Sequence, residues 1–209
     1  MKLKRLYNTK NAYDEEFPQF AYSQTIFEDH KNCYYWGYWQ HINYLNRIED
    51  VLRQSLKFPP FEDSENIRLQ NLLQKENAIS LHVRRGDYLQ EPLFKDICTE
   101  DYYKKSIEYI EGIQDSPLFI VFSNDIAWCK SQFKDLNAIF IDHNNGINSF
   151  RDLQLMSLCK HHIIANSSFS WWGAWLNDNP DKIVVSPRKW INDHTLDTSG
   201  LVLPTFITF

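Results

Sequence analysis

From residue 78 onward the sequence alternates between two hydrophobic rhythms, and that alternation limits the fold more than any other feature. Short apolar runs of strand length stand at residues 78–83, 118–122, 138–141, 162–165 and 183–185. Helical patterns fill the spaces between them, at residues 101–110, 126–133, 150–158 and 169–176. A strand that is apolar on both faces has to be covered on both faces. Strands alternating with helices therefore predict an α/β fold, a parallel sheet with helices packed on each side. In such sheets ligands bind beyond the carboxyl ends of the strands, so the chemistry is to be sought in the residues that follow each run.

The region before residue 75 is less regular. Residues 32–39, Asn-Cys-Tyr-Tyr-Trp-Gly-Tyr-Trp, read as a strand. Ile42, Leu45, Ile48, Leu52 and Leu56 recur at steps of three or four and predict one helix over residues 42–56. The run Phe58-Pro-Pro-Phe61 stops it. A shorter helix is expected over 65–74 with Ser64 as its N-cap. The expected boundary falls at 74/75, with a connecting region before it and the sheet domain over 75–209.

Composition excludes several classes. A net charge of −5 gives no basic field for nucleic acid. The four cysteines, Cys33, Cys98, Cys129 and Cys159, form no C-x-x-C pair and have no zinc spacing, so they read as reduced thiols of a cytoplasmic protein without a metal. Lys2, Lys4 and Arg5 are followed by no apolar run, which argues against a signal peptide, and no stretch has the length of a membrane span.

The candidate chemistry lies at three strand ends. The first run closes in His82-Val-Arg-Arg-Gly-Asp87. Adjacent arginines after a buried strand suit an anion, because each guanidinium fork can hold two phosphate oxygens and Gly86 lets the backbone turn beside them. A surface pair bridged to Asp87 is the alternative. The second run closes in Phe122-Ser-Asn-Asp125, where Asp125 is either a helix cap or an acceptor for the N–H groups of a purine edge. The third closes in Asn166-Ser-Ser-Phe-Ser170, small polar residues opening a helix. Backbone N–H groups at such a start form an anion site, with Ser167 and Ser168 opposite Arg84 and Arg85, although Asn166 and Ser167 would serve equally as plain caps. Trp171, Trp172 and Trp175 share a helix face and read as core. His161 and His162, adjacent on a strand, point to opposite faces and do not chelate together.

These motifs resemble glycosyltransferase family 11, the α-1,2-fucosyltransferases. The resemblance rests on the H-x-R-R-x-D run at 82–87, the F-S-x-D run at 122–125, Gly37-Tyr-Trp-Gln40, and the long run Asn166-Ser-Ser-Phe-Ser-Trp-Trp-Gly-Ala-Trp175. It implies a GT-B architecture in which a Rossmann-like domain holds the donor, here residues 75–209. Residues 1–74 would be a remnant of the acceptor-side domain. It implies inverting, metal-independent transfer of L-fucose from GDP-β-L-fucose to the 2-hydroxyl of a galactose-containing glycan, with no cofactor besides that donor. Arg84 and Arg85 would hold the diphosphate and act in catalysis with Asp87 as their support. His82 and Asp125 would lie near the guanosine, and Asn166, Ser167 and Ser168 would complete the donor site. No general base is assigned. The expected location is the cytoplasm, with docking to a membrane surface left open. Family members open with a strand and a Gly-Gly-Leu-Gly-Asn-Gln type loop, whereas no glycine precedes Gly37 here. The first domain is therefore expected to be incomplete, and the alternative reading is a shortened, inactive GDP-sugar-binding relative.

Overall fold

A computed structural model describes residues 12–14, 20–28 and 34–209; Cys33 and the start of the chain lie outside the described residues. The chain falls into two units, residues 1–55 with 193–203, and residues 56–192 with 204–209.

In the first unit, β1 (Ala12–Asp14) pairs in parallel with β2 (Tyr34–Trp36). The helix expected over 42–56 is two helices, α1 (Ile42–Asn46) and α2 (Glu49–Ser55). Between them the Ile48 amide reaches back only three residues, to the Leu45 carbonyl at 2.9 Å. The reason is tertiary. Tyr44, outside the apolar stripe, is the residue that buries, with the rings of Tyr22, Trp39 and His41 around it, while Ile48 and Leu56 stay exposed. Arg47 lies over the Phe27 ring at 4.4 Å in the turn itself. The His41 side chain caps α1, its Nδ1 accepting from the Asn43 amide at 3.1 Å.

The second unit holds a six-stranded sheet, all parallel, in the order β5-β4-β3-β6-β7-β8. Its strands are β3 (Ala78–Val83), β4 (Leu118–Ser123), β5 (Ala138–Ile141), β6 (His161–Ile163), β7 (Val184–Ser186) and β8 (Ile207–Thr208). The short edge strand β8 carries no apolar run long enough to be read from sequence. The helices are α3 (Ser64–Leu73), α4 (Glu100–Ile113), α5 (Ile126–Gln132), α6 (Phe150–Leu158) and α7 (Ser168–Leu176). The cap of α3 is Asp63 and not Ser64, since the Asp63 carboxylate accepts from the Asn66 amide at 2.8 Å. This is a Rossmann-like sheet, the donor-domain fold of the GT-B type. Building starts at β3, proceeds outward to β5, then returns to β6 on the other side of β3. The crevice between the ends of β3 and β6 is the topological switch point.

Alternation along β3 separates the two layers. Ile79, Leu81 and Val83 enter one core with Tyr102, Tyr103 and Ile110 of α4. Ala78 joins Ile120, Phe122, Ile141, Leu155 and Met156 in the other, beneath α6 and α7. His82 also faces that second layer, its ring 5.8 Å from Phe169 of α7. The registers align His82 with Phe122 and Phe122 with Ile141, so one row of side chains crosses the sheet at its carboxyl end. Close approach of α6 and α7 needs Gly173, where a Cβ would come within 2.9 Å of the Met156 Cβ.

His161 and His162 have structural partners. The Asn177 side chain donates to His162 Nε2 at 2.9 Å and to the Cys159 carbonyl, while its own oxygen accepts from the Asn179 amide. Nε2 is therefore an acceptor, and the ring proton sits on Nδ1, which meets Ser80 Oγ at 2.8 Å. His161 Nδ1 accepts from the Ile183 amide. The tryptophans at 171, 172 and 175 pack edge to face, with Trp171 and Trp175 buried.

Candidate functional site

The turn after β3 depends on Gly86, whose φ of +59° lies in the left-handed region. A Cβ there would approach Asn124 Nδ2 to 2.7 Å. Asn124, from the end of β4, fastens this turn on both sides: its oxygen accepts from the Arg85 amide at 2.8 Å and its nitrogen donates to the Arg85 carbonyl at 3.1 Å.

Each arginine is held by one carboxylate and one aromatic ring. Arg84 Nη2 donates to Asp87 Oδ2 at 2.9 Å, with its guanidinium 5.2 Å from the Tyr88 ring centre. Arg85 Nε donates to Asp125 Oδ2 at 3.0 Å, with its guanidinium 4.0 Å from the Trp128 ring centre. Planar cations held in this way are pre-oriented, with donors left over. Arg84 Nε is buried and has no hydrogen-bond partner among the described residues, and the same holds for His82 Nδ1. Burial, and next the charge of Arg84, push the His82 pKa down to about 3, so its imidazole is neutral near pH 7.

Across the crevice, Ser167 occupies the N-cap position of α7, but its side chain makes no cap bond. It interacts instead with Tyr88, whose pKa is raised by burial. The first-turn amides of α7 therefore have no side-chain cap, and a nine-residue helix presents its positive end at the switch point. Ser168 is exposed there, whereas Ser167 is buried.

The other sequence candidates have partners within the protein. Asn166 turns inward: its amide donates to the carbonyls of Phe94 and Trp190, and its oxygen accepts from the Cys98 thiol. Both Asp125 oxygens are engaged, Oδ2 by Arg85 and Oδ1 by the Trp128 amide at 3.2 Å, which makes Asp125 an arginine holder and the cap of α5. Sequence reasoning passed over Asn124, Tyr88 and Phe169, which acquire meaning only when β3, β4 and α7 come together. It also passed over Asp152, in the first turn of α6, a carboxyl whose pKa burial raises to about 6. Among the described residues no three His, Cys, Asp or Glu side chains gather as a metal-ligand group, and no helix is long and apolar enough to cross a membrane.

The arrangement can clamp a diphosphate between two arginines and a helix N-terminus. Known proteins with related sequences fit that chemistry. The profile of "Glycosyl transferase family 11" matches residues 4–206. An O-antigen biosynthesis glycosyltransferase, WbnK, of Escherichia coli is 47% identical over 57% of this chain and 41% of its own length. An alpha-1,2-colitosyltransferase of Escherichia coli is 38% identical over 78% of this chain and 57% of its own length. The human galactoside alpha-(1,2)-fucosyltransferase 1 is 25% identical over 68% of this chain and 40% of its own length. The chain thus spans roughly half the length of these relatives or less. With the profile matched across nearly its whole length and the arginine turn facing the α7 N-terminus across the switch point, the chain belongs to glycosyltransferase family 11.

Proposed function

We propose that this protein binds a nucleoside-diphosphate sugar in the β3/β6 crevice and transfers the sugar, with inversion, to a hydroxyl of a galactose-containing glycan. The observation that carries this reading is the Arg84–Arg85 pair, each guanidinium held by one carboxylate and one ring, set against the uncapped start of α7. A diphosphate bridging them satisfies both.

Its chemistry follows from charge. The acceptor oxygen attacks the anomeric carbon from the face opposite the diphosphate, and a C–O bond forms. The bond from that carbon to the diphosphate oxygen breaks, its electron pair leaves with the nucleoside diphosphate, and the hydroxyl proton passes to solvent or a base. Negative charge grows on the leaving oxygen, where Arg84, Arg85 and the α7 amides stabilise it; removing one such contact lowers the rate by roughly a hundredfold or more. Asp87 supports Arg84 and does not meet the sugar.

GDP-β-L-fucose is the donor we favour, with the galactose 2-hydroxyl as acceptor, on the pattern of the relatives named for α-1,2 transfer. The 38% identity to a colitosyltransferase supports a second reading at the sugar. Colitose is fucose without its 3-hydroxyl, so either donor presents the same diphosphate. Calorimetric titration with GDP tests the donor site, and transfer assays with the fucose and colitose donors on a galactoside test the reaction. No binding of GDP by the folded chain overturns the donor site. Binding without transfer to any galactoside overturns the enzyme and leaves a GDP-sugar-binding relative.

A further inference from the structure

A cavity of about 660 Å³ opens between the first turn of α4, the chain leaving β7 and the end of β8. That size is ordinary for a small-molecule site, and the carboxyl edge of a parallel sheet is where such sites form. The cavity lies beyond β6, two strand spacings or about 10 Å from the switch point. The segment between β3 and α4 serves both places. Tyr88 and Phe94 stack at 4.7 Å beside Arg84, whereas Asp96 and Thr99, a few residues on, line the cavity.

Its walls are tied to one another. Asn192 fastens the loop, its amide N–H donating to the Leu93 carbonyl at 2.8 Å and its side chain to the carbonyls of Pro92 and Lys95 at 2.9 and 2.8 Å. The Thr99 hydroxyl accepts from the Tyr102 amide and caps α4, and the Tyr102 hydroxyl donates to the Ile164 carbonyl at 2.6 Å, which ties the helix to the sheet. On the other side the Phe209 carbonyl accepts from the Arg188 amide at 2.9 Å, and the Phe209 ring meets Tyr109 of α4 edge to face. Asp96 has a φ of +59°, a left-handed conformation that strains a residue with a side chain. A cavity built in this way is shaped in advance for what enters it.

Among the described residues the side chains of Asp96, Arg188 and Lys189 have no hydrogen-bond or ion-pair partner, while Lys105 is paired with Asp101 at 2.7 Å. Three cations and two carboxylates therefore line one cavity. An ion of either sign meets its own charge there as well as the opposite one. A sugar avoids the conflict. Each hydroxyl is both donor and acceptor, so a neighbouring pair gives a hydrogen to a carboxylate and accepts from a guanidinium fork. Phe209 adds an aromatic surface for the C–H groups of a pyranose ring. We propose that this cavity is a carbohydrate subsite, holding a neutral sugar residue of the acceptor glycan away from the galactose that is modified, with Asp96 and Arg188 as its main polar contacts. The assignment rests on the transfer reading above and makes the protein select for glycan length.

The test uses the full chain with methyl β-galactoside, which carries no further sugar, and with lacto-N-tetraose, a galactose-ended tetrasaccharide. Amide NMR signals of residues 96–99 and 188–192 are expected to shift saturably with the tetrasaccharide and not with inorganic phosphate. In transfer assays kcat/KM is expected to be about tenfold or more higher for the tetrasaccharide than for the methyl glycoside. Asp96→Gly removes the carboxylate and suits the left-handed backbone, and Arg188→Gln removes an exposed cation, so both variants should fold. Each is expected to cut that ratio to about threefold or less. No shift of these amides with the tetrasaccharide overturns the proposal whatever the transfer assay shows. Shifts with phosphate alone assign the cavity to an anion and overturn it too. So does an equal kcat/KM for the two acceptors, or a ratio that both variants leave unchanged. If the cavity amides shift but neither acceptor is glycosylated, the transfer reading fails and takes the acceptor assignment with it; transfer without cavity shifts removes this assignment alone.

Discussion

Arg85 sits with its guanidinium 4.0 Å above the Trp128 ring and its Nε bonded to Asp125 at 3.0 Å, so cation, ring and carboxylate form one rigid unit between β3 and α5. Rigidity of that kind matters because a flexible arginine loses more rotamer entropy when it closes on a phosphate. Arg85→Lys keeps the charge and discards the planar fork. GDP affinity measured by calorimetry should fall by about tenfold or more, the size of a lost charge-assisted hydrogen bond. Trp128→Leu should weaken binding less, by a few-fold, because the carboxylate still holds the arginine.

Gly86→Ala forces a side chain into the left-handed region and against Asn124. The strain alone amounts to roughly 1–2 kcal/mol, before the displaced Asn124 is counted. Thermal unfolding should show a midpoint lowered by about 4 °C or more. GDP binding should weaken in parallel, since Asn124 fixes the Arg85 backbone.

Asn166 and Ser168 belong to one motif, but the first turns inward and the second is exposed. Asn166→Ala leaves the carbonyls of Phe94 and Trp190 without their donor and should destabilise the fold by about 1–3 kcal/mol. Ser168→Ala, at an exposed helix start, should leave the unfolding midpoint unchanged and lower GDP affinity a few-fold. Chemical denaturation of both variants alongside calorimetry checks the contrast.

Stability of the ligand-free protein should fall as pH drops below neutrality. His82 and His162 are buried with pKa values lowered to about 3, against an ordinary value of 6.5. Below pH 6.5 the unfolded chain binds two protons that the native chain refuses, and each one removes about 1.4 kcal/mol per pH unit. His41 and His161 are lowered as well, chiefly by burial, and act in the same direction. Asp152, raised to about 6 by burial, opposes them, because the folded state gains its proton before the unfolded state does. The decline should therefore steepen as pH falls through 6.5 and run at about one net proton from His82, His162 and Asp152 together between about 6 and 5, with His41 and His161 adding to it. Urea midpoints across this range test the slope, and His162→Gln should make it shallower by about one proton.

Gly173→Ala should separate α6 from α7, because its Cβ would meet the Met156 Cβ at 2.9 Å. Overpacking of this kind destabilises by about 1–3 kcal/mol. Since α7 presents its N-terminus at the switch point, GDP affinity should fall together with the unfolding midpoint.

Local patterns determined a great deal of this protein. Apolar runs alternating with helical periods fixed the parallel sheet, since such strands have to be buried on both faces. The arginine turn and the polar start of α7 stood out because both follow strand ends, where ligands bind in such sheets, although each also had a plain structural reading. What tertiary structure alone decided was direction and partnership. Asn166 belongs to a motif that reads as anion-binding, yet it points inward because two loop carbonyls need its amide. Asp125 reads as a helix cap or a purine acceptor; it does cap α5, and the register of β3 beside β4 adds Arg85 as a partner that no local pattern shows. The stripe from Ile42 to Leu56 reads as one helix, yet burial of Tyr44 among aromatic rings breaks it after Asn46. Asp152 carried no signal at all, an ordinary acidic residue in a first helical turn. Its orientation follows from pairings between residues 66, 144 and 152, and separations of that length enter no local pattern.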